Sequence, residues 1–367
     1  MQKAIQVIFF FVLGLIAIVA LTGFYFSDLL APQSGIFFTN IKGAEWQRYG
    51  GLVSGSNLGR LDIADLQYNP KDHRIMYLAT MGGGLYKSVD SGANWYKLDD
   101  ANKILSPSSI VYSVAVDYTL PKYEKNKNTP DRFYAAVYQN DYGRILKTDN
   151  GGLSFKQVYI TSRPKFAVFS VVVDPRLPST VWAATAEGLL LKSKDYGETW
   201  KLVQEFGGIL NSVLIDPRSP NNIFVSTFGN GIFTSADSGA SWTDESEALQ
   251  SFPRAASIEM AYRDPSTNAI YLATQFGLLK STNGGVNWQA VGVIFSDEVL
   301  PVTAVAVSPK NNQEIYVAAG KTIYKTANGG ESWQVRQLPV KQRVRVLLVN
   351  PDNTNQVFAT IGKTSRR

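Results

Sequence analysis

The chain repeats one potential carboxylate site several times. KSVDSGANW (87–95) returns as KTDNGGLSF (147–155), KSKDYGETW (192–200), TSADSGASW (234–242), KSTNGGVNW (280–288) and KTANGGESW (325–333). The fourth position carries Asp90, Asn150, Asp195, Asp237, Asn283 and Asn328 in turn. A lone Asp beside a hydroxyl suggests general acid or base work. Half of the copies carry Asn, however, which cannot transfer a proton in that way. An Asp or Asn ahead of a Gly is turn chemistry. The side chain accepts from its own backbone amides, the Gly supplies positive φ, and the aromatic at the ninth position folds back onto the core. Each copy is therefore expected to be a structural turn that closes a hairpin.

Two further sets could carry chemistry. Asp141 and Glu187 are the carboxylates in loops where a hydrolytic pair would sit, since glycoside hydrolysis needs two facing across a cleft. Arg60, Arg163, Lys165, Arg254, Lys341, Arg343 and Arg345 gather just ahead of successive strand runs, with Phe252 beside Arg254 as an aromatic anchor. Arg60, Lys165 and Lys341 each lie ten residues before the next turn proline. In a ring of repeats such positions are equivalent. Guanidinium groups there would hold carboxylates, phosphates or an acidic protein segment. The absence of cysteine excludes disulfides and thiolate chemistry, and the single histidine, His73, excludes a His-rich metal site. No cofactor is expected. The charge of +6 is spread along the chain rather than gathered in a tail, so no nucleic-acid partner is expected.

The elements that position these residues follow from the repeat. GIFFTNIKGAEW (35–46) aligns with TIYKTANGGESW (322–333), with Ile41 in place of the Asn, and is a worn seventh copy. The ninth-position aromatics Trp46, Trp95, Phe155, Trp200, Trp242, Trp288 and Trp333 are 42 to 49 residues apart, except for one gap of 60. A period of about 45 with four strands per unit is a propeller blade. The clearest unit reads FSVVVDP (169–175), TVWAAT (180–185), GLLLKS (188–193) and TWKLVQ (199–204), bounded by turn residues. The C-terminal part ends with two strands, VRVLLVNP (344–351) and QVFATIG (356–362), and the N-terminal part supplies the other two. The expectation is an all-β, seven-bladed propeller over 35–362 whose last blade is closed by both termini. The long period holds a polar insertion within 116–133, read as a solvated loop.

Residues 4–26 form a run of 23 without charge, preceded by Lys3. That length spans a hydrocarbon core of about 30 Å, and 1–3 would be a cytoplasmic n-region. Residues 27–34 are a spacer, and 363–367 are a basic tail. The expected location is the cell membrane, single-pass, with the propeller on the extracytoplasmic side; cleavage as a signal peptide, giving a secreted protein, is the alternative.

The repeated boxes resemble those of the BNR/Asp-box propellers, which include sialidases, xyloglucan-degrading enzymes, the sortilin ectodomain and the photosystem II stability/assembly factor family. The resemblance covers about 35–362. It implies the fold and leaves function open, because the box lies away from the functional face. One ring with a membrane segment is most similar to the assembly-factor type, a family with an arginine-bearing patch. That implies a protein partner, membrane-embedded in keeping with the anchor, and a scaffold rather than an enzyme. A carbohydrate-binding or glycoside-hydrolase-like propeller of the sialidase or xyloglucanase type is the alternative. The sialidase signature near the start is missing, and MYLATMGGGLYKS (76–88) has Met81 where the xyloglucan-degrading type carries an acidic residue.

Overall fold

The computed structural model describes residues 35–53, 58–117, 132–292, 295 and 300–362. The expected anchor (4–26) with its n-region, the spacer, the tail and most of the insertion (118–131) lie outside the described residues. Among the described residues no helix is long and apolar enough to cross a membrane.

Seven antiparallel sheets form the ring, each with four strands in consecutive order from the inside outward. Blade 1 comprises Ile63–Tyr68, Met76–Thr80, Leu85–Ser88 and Asn94–Lys97, and blade 2 Ile110–Val116, Phe133–Gln139, Tyr142–Thr148 and Lys156–Ile160. Blade 3 is Val168–Val173, Val181–Thr185, Leu189–Ser193 and Lys201–Glu205; blade 4 is Leu210–Ile215, Ile223–Thr227, Ile232–Ser235 and Thr243–Asp244. Blade 5 is Ile258–Arg263, Ile270–Thr274, Leu278–Ser281 and Gln289–Ala290, and blade 6 Val302–Ser308, Asn311–Ala319, Thr322–Thr326 and Gln334–Gln337. Blade 7 takes Arg343–Val349 and Val357–Gly362 from the C-terminal part and Gly35–Thr39 and Gln47–Tyr49 from the N-terminal part. The junction is a five-pair ladder from Gly35–Ile361 to Thr39–Val357, so the ring closes with a complete last blade. A short strand, Gly51–Leu52, continues from blade 7 and pairs in parallel with the outer strand of blade 1. The sequence reading missed it, since a two-residue strand carries no periodicity.

The boxes are turns. In blade 3 the Ser193 hydroxyl donates to Asp195 at 2.7 Å and accepts from Gly197 N at 2.8 Å, while Asp195 accepts from Thr199 N at 2.9 Å. The same three bonds recur around Asp90, Asn150, Asp237, Asn283 and Asn328. The worn copy keeps the hydroxyl half, with Gly43 N donating to Thr39 at 3.2 Å. The ninth-position ring is buried at Trp95, Phe155 and Trp288 but half-exposed at Trp46, Trp200, Trp242 and Trp333. It lies at the start of the outer strand, where only one flank is covered.

The box Gly seats the turn on the preceding blade. A Cβ on Gly197 would lie 2.8 Å from Tyr134, one on Gly239 3.0 Å from Trp182 and one on Gly285 3.0 Å from Phe224. These aromatics belong to a ring of seven, one per second strand: Tyr77, Tyr134, Trp182, Phe224, Tyr271, Tyr316 and Phe358, all essentially inaccessible. The lysine that opens the box covers the ring from the cross-strand position, as Lys192 does over Trp182 at 4.3 Å. Lys87, Lys280 and Lys325 do the same over Tyr77, Tyr271 and Tyr316. Box glycine and second-strand aromatic thus meet across the joints between blades 2 and 3, 3 and 4, and 4 and 5, and a lysine covers the ring on blades 1, 3, 5 and 6.

Candidate functional site: the channel mouth

Every inner strand carries a β-bulge one or two residues after its start, at Ile63/Asp65, Val111/Ser113, Val168/Ser170, Leu210/Ser212, Ile258/Met260, Val302/Ala304 and Val344/Val346. A bulge leaves one residue without a ladder partner and re-aims its side chain. Here those residues are Ala64, Tyr112, Phe169, Asn211, Glu259, Thr303 and Arg345. All seven line one cavity of about 690 Å³ at the start of the inner strands, together with Met81, Phe228 and Arg343. The strand starts are held level by side chains that cross between blades. Asp65 accepts from Val114 N at 3.1 Å, Val171 N donates to Ser113 Oγ at 3.2 Å, Asn211 Nδ2 donates to Ile258 O at 3.0 Å, and Thr303 Oγ1 donates to Val344 O at 2.7 Å.

The mouth is chemically lopsided. On blades 2 to 4 the rings of Tyr112 and Phe169 meet edge-on at 4.9 Å, and those of Phe169 and Phe228 at 6.1 Å. Phe228 stays 46% exposed, so the arc offers open apolar surface. Across the channel, Arg343 lies 3.4 Å from Glu259 and Arg345 3.9 Å from Asp62, with all four side chains largely covered. Burial lowers the Arg345 pKa; Asp62 opposes that and Arg343 reinforces it. Burial raises Tyr112, with Tyr138 adding to the rise and Arg345 opposing it, so the Arg345 guanidinium is felt at the aromatic arc. The half-buried Asp65 carboxyl is pushed up by desolvation, offset by hydrogen bonds from Val114, Gln67 and Leu66. Two guanidinium groups beside an aromatic wall can clamp an anionic group while packing an apolar one.

The eight partner-contact candidates divide. Arg343 and Arg345 meet in the cavity wall. Arg60, Lys165 and Lys341 occupy the same position three residues before the first buried residue of an inner strand, and all are exposed on the loops of this face. Arg163 is exposed and lies 3.5 Å from Glu187 and 5.1 Å from the Phe166 ring. Arg254 is exposed at a residue with φ of 64°. These five are not among the cavity-lining residues. Phe252 is half-buried against Phe276 at 5.3 Å, so its ring is already used by the core.

The two catalytic-pair candidates lie elsewhere too. Asp141 sits in a tight turn with φ of 63°, and Tyr138 donates to it at 3.5 Å. Glu187 is buried, accepts from Ser162 Oγ at 2.9 Å and is backed by Arg163. Neither lines the cavity, whereas Met81 does. His73 pairs with Asp352 at 2.9 Å. Among the described residues no group of three or more His, Cys, Asp or Glu side chains is placed to hold a metal ion.

Of the bulge residues the sequence reading had singled out Arg345 alone and missed the other six, yet a signal for all of them exists. Each stands five residues before the residue that opens the first turn: Asn69, Asp117, Asp174, Asp216, Asp264, Ser308 and Asn350.

No family model matches the chain. The xyloglucanase Xgh74A of Acetivibrio thermocellus is 27% identical over 153 residues, 37% of this chain and 17% of that protein. The chain thus spans about a sixth of the length of the curated relatives it matches. Among solved structures, the GH74 xyloglucanase of Xanthomonas campestris superposes with a TM-score of 0.64 at 18% identity, covering 82% of this chain and 51% of that one. YCF48 bound to D1 peptide gives 0.59 at 16%, covering 82% and 93%. YCF48 from Cyanidioschyzon merolae gives 0.59 at 15%, covering 82% and 96%. The chain shares the propeller fold of both groups.

Proposed function

We propose that this chain is a membrane-anchored, extracytoplasmic propeller that holds a segment of a partner protein at the channel mouth, as a scaffold for complex assembly. The observation that carries the reading is the clustering of Arg343 and Arg345 opposite the Tyr112–Phe169–Phe228 arc in one cavity. An extended segment with an acidic group beside an apolar side chain fits both walls. The likeness to YCF48 with a peptide bound, which spans nearly that whole chain, supports the reading. The uncharged run at 4–26 supplies the anchor.

The test is cross-linked capture from native membranes with the full chain and with an Arg343→Ala/Arg345→Ala double variant. The scaffold reading expects a discrete partner captured by the parent and lost from a folded double variant. Equal recovery would remove the arginines from the site. Glycan cleavage is the second reading, favoured by the xyloglucanase sequence match. Turnover of xyloglucan that is abolished by Asp141→Asn or Glu187→Gln would establish it and displace the scaffold.

A further inference from the structure

We propose that Glu259 and Asp62 are internal competitors for the arginines of the mouth, holding Arg343 and Arg345 until an incoming acidic group takes their place. The inference rests on the reading of the mouth as a site for a partner segment, and adds how that site is gated. The charged side chains that line the cavity are Asp65, Glu259, Arg343 and Arg345. Asp65 is committed to its surroundings, accepting from Leu66 N at 2.8 Å, Gln67 Nε2 at 2.9 Å and Val114 N at 3.1 Å. Glu259 faces Arg343 instead, and Asp62 reaches Arg345 from the start of blade 1.

Both pairs are loose. Arg343 Nη1 lies 3.4 Å from Glu259 Oε2, and Arg345 Nη2 lies 3.9 Å from Asp62 Oδ1. A well-made charge-assisted hydrogen bond is about 2.7–2.9 Å long, and the chain makes such contacts elsewhere, with Lys147 2.7 Å from Glu198 and Arg74 2.7 Å from Asp72. The covered Nε of Arg343 has no hydrogen-bond partner among the described residues, so this guanidinium is not fully used. The looseness has a structural cause. Glu259 projects from the bulge of blade 5 and Arg343 from the start of blade 7, so their contact passes in front of blade 6. It has room because the bulge of blade 6 carries the short Thr303, whose hydroxyl is turned to Val344 O at 2.7 Å. A covered guanidinium without a counter-charge is costly, so the mouth needs carboxylates of its own. A ligand carboxylate supplies the same counter-charge, through two parallel hydrogen bonds to one guanidinium, and the displaced Glu259 can turn into the cavity of about 690 Å³. Binding then gains the difference between two ion pairs rather than the whole of one. Affinity stays moderate, which suits a scaffold that must release what it assembles, and a neutral segment gains nothing to offset breaking the internal pairs.

An internal competitor and a supporting contact predict opposite signs. The probe is a capped dipeptide of glutamate and para-fluorophenylalanine, an acid beside an apolar ring, with its glutamine counterpart as the neutral control. Each is titrated by fluorine NMR against the full chain in mild detergent. Glu259→Gln/Asp62→Asn should bind the acidic probe severalfold more tightly than the parent does, and the neutral probe no more tightly. Arg343→Ala/Arg345→Ala should lose the preference for the acidic probe. Urea midpoints establish that each variant is folded, and Glu259→Gln alone carries the test if the double carboxylate variant is not. Equal, weaker or absent binding of the acidic probe by the carboxylate variant overturns the inference, and the arginine site stands if the arginine variant has lost its preference. A preference for the acidic probe that survives in the arginine variant overturns the reading of the mouth itself, and this inference with it.

Discussion

Asp195 allows the structural reading of the box to be tested quantitatively, because the chain contains its own control. Its carboxylate accepts from Thr199 N at 2.9 Å, Thr199 Oγ1 at 2.6 Å and Ser193 Oγ at 2.7 Å. Asp195→Ala removes all three hydrogen bonds. The site is exposed and water replaces part of the loss, so the cost should resemble that of a lost capping residue, about 1–2 kcal/mol. Asp195→Asn should cost much less, below about 0.5 kcal/mol. Asn150 and Asn328 already fill the same geometry, each with the side-chain amide donating to the Ser four residues on, at 2.8 and 3.0 Å. The hydrogen bonds led by that from the Thr199 hydroxyl hold the Asp195 pKa down to about 2, from an ordinary value of 3.8. Asp237 is likewise held to about 2, chiefly by Ser241. A folded pKa below the unfolded one adds stability that is complete above about pH 4 and is lost as the pH falls through 2. Urea midpoints at pH 7 and pH 3 should therefore show Asp195→Asn/Asp237→Asn close to the parent at pH 7, with a smaller loss on acidification. If Asp195→Asn is as damaging as Asp195→Ala at pH 7, or retains the parent's acid loss, the carboxylates are more than turn acceptors.

Two further substitutions separate the fold from the mouth. Gly362→Ala should leave the backbone in place, because Gly362 is not at positive φ, but a Cβ there would fall within 2.7 Å of Cγ, Cδ and Nε of Arg345 and force that whole side chain aside. Displacing that guanidinium should lower partner capture as Arg345→Ala does, and undiminished capture would count against Arg345 as a contact. Trp182→Ala should act in the opposite sense, costing about 3–5 kcal/mol in a urea titration, since it empties a buried site shared with Lys192 and Gly239. A loss under about 1 kcal/mol would mean that the aromatic ring does not weld blades 3 and 4.

The blades were legible because the turn chemistry is local. Ser193, Asp195 and Gly197 act within five residues, so the same letters recur wherever the same bend is made. The closure was legible because half a blade at each end of the repeat can be completed only by the other half. The site was not legible by the same means. Arg60, Lys165 and Lys341 share an offset from the turn, and the structure leaves all three on exposed loops, because that position precedes the bulge. The residues that reach the cavity come four places later. A bulge is set by pairing with the next strand, and no residue type in VYSVAV or VRVLLV announces it. Phe252 looked like an anchor for the converse reason: an aromatic in a polar loop reads as free, and its contact with Phe276 is visible only once the loop is folded.

The internal repeat also indicates where function is written. Before the bulge the inner strands carry Ile63, Val111, Val168, Leu210, Ile258, Val302 and Val344, all apolar and buried, because every blade must pack on its neighbour in the same way. Two places after the bulge residue the pattern returns with Leu66, Val114, Val171, Val213, Ala261, Val305 and Leu347. Between these levels the seven bulge residues hold the same backbone position and share almost no chemistry: a methyl, a phenol, a phenyl, an amide, a carboxylate, a hydroxyl and a guanidinium. Packing alone would tolerate seven similar side chains there, as it does at the adjacent levels. The divergence also has an order, with aromatic residues adjacent on blades 2 and 3 and ionic ones on blades 5 and 7 that find partners at the mouth. A ring that repeats its architecture and varies one level around its axis confines specificity to that level. A search for the ligand should therefore begin with substitutions at Tyr112, Phe169, Glu259 and Arg345 rather than at the boxes that identify the fold.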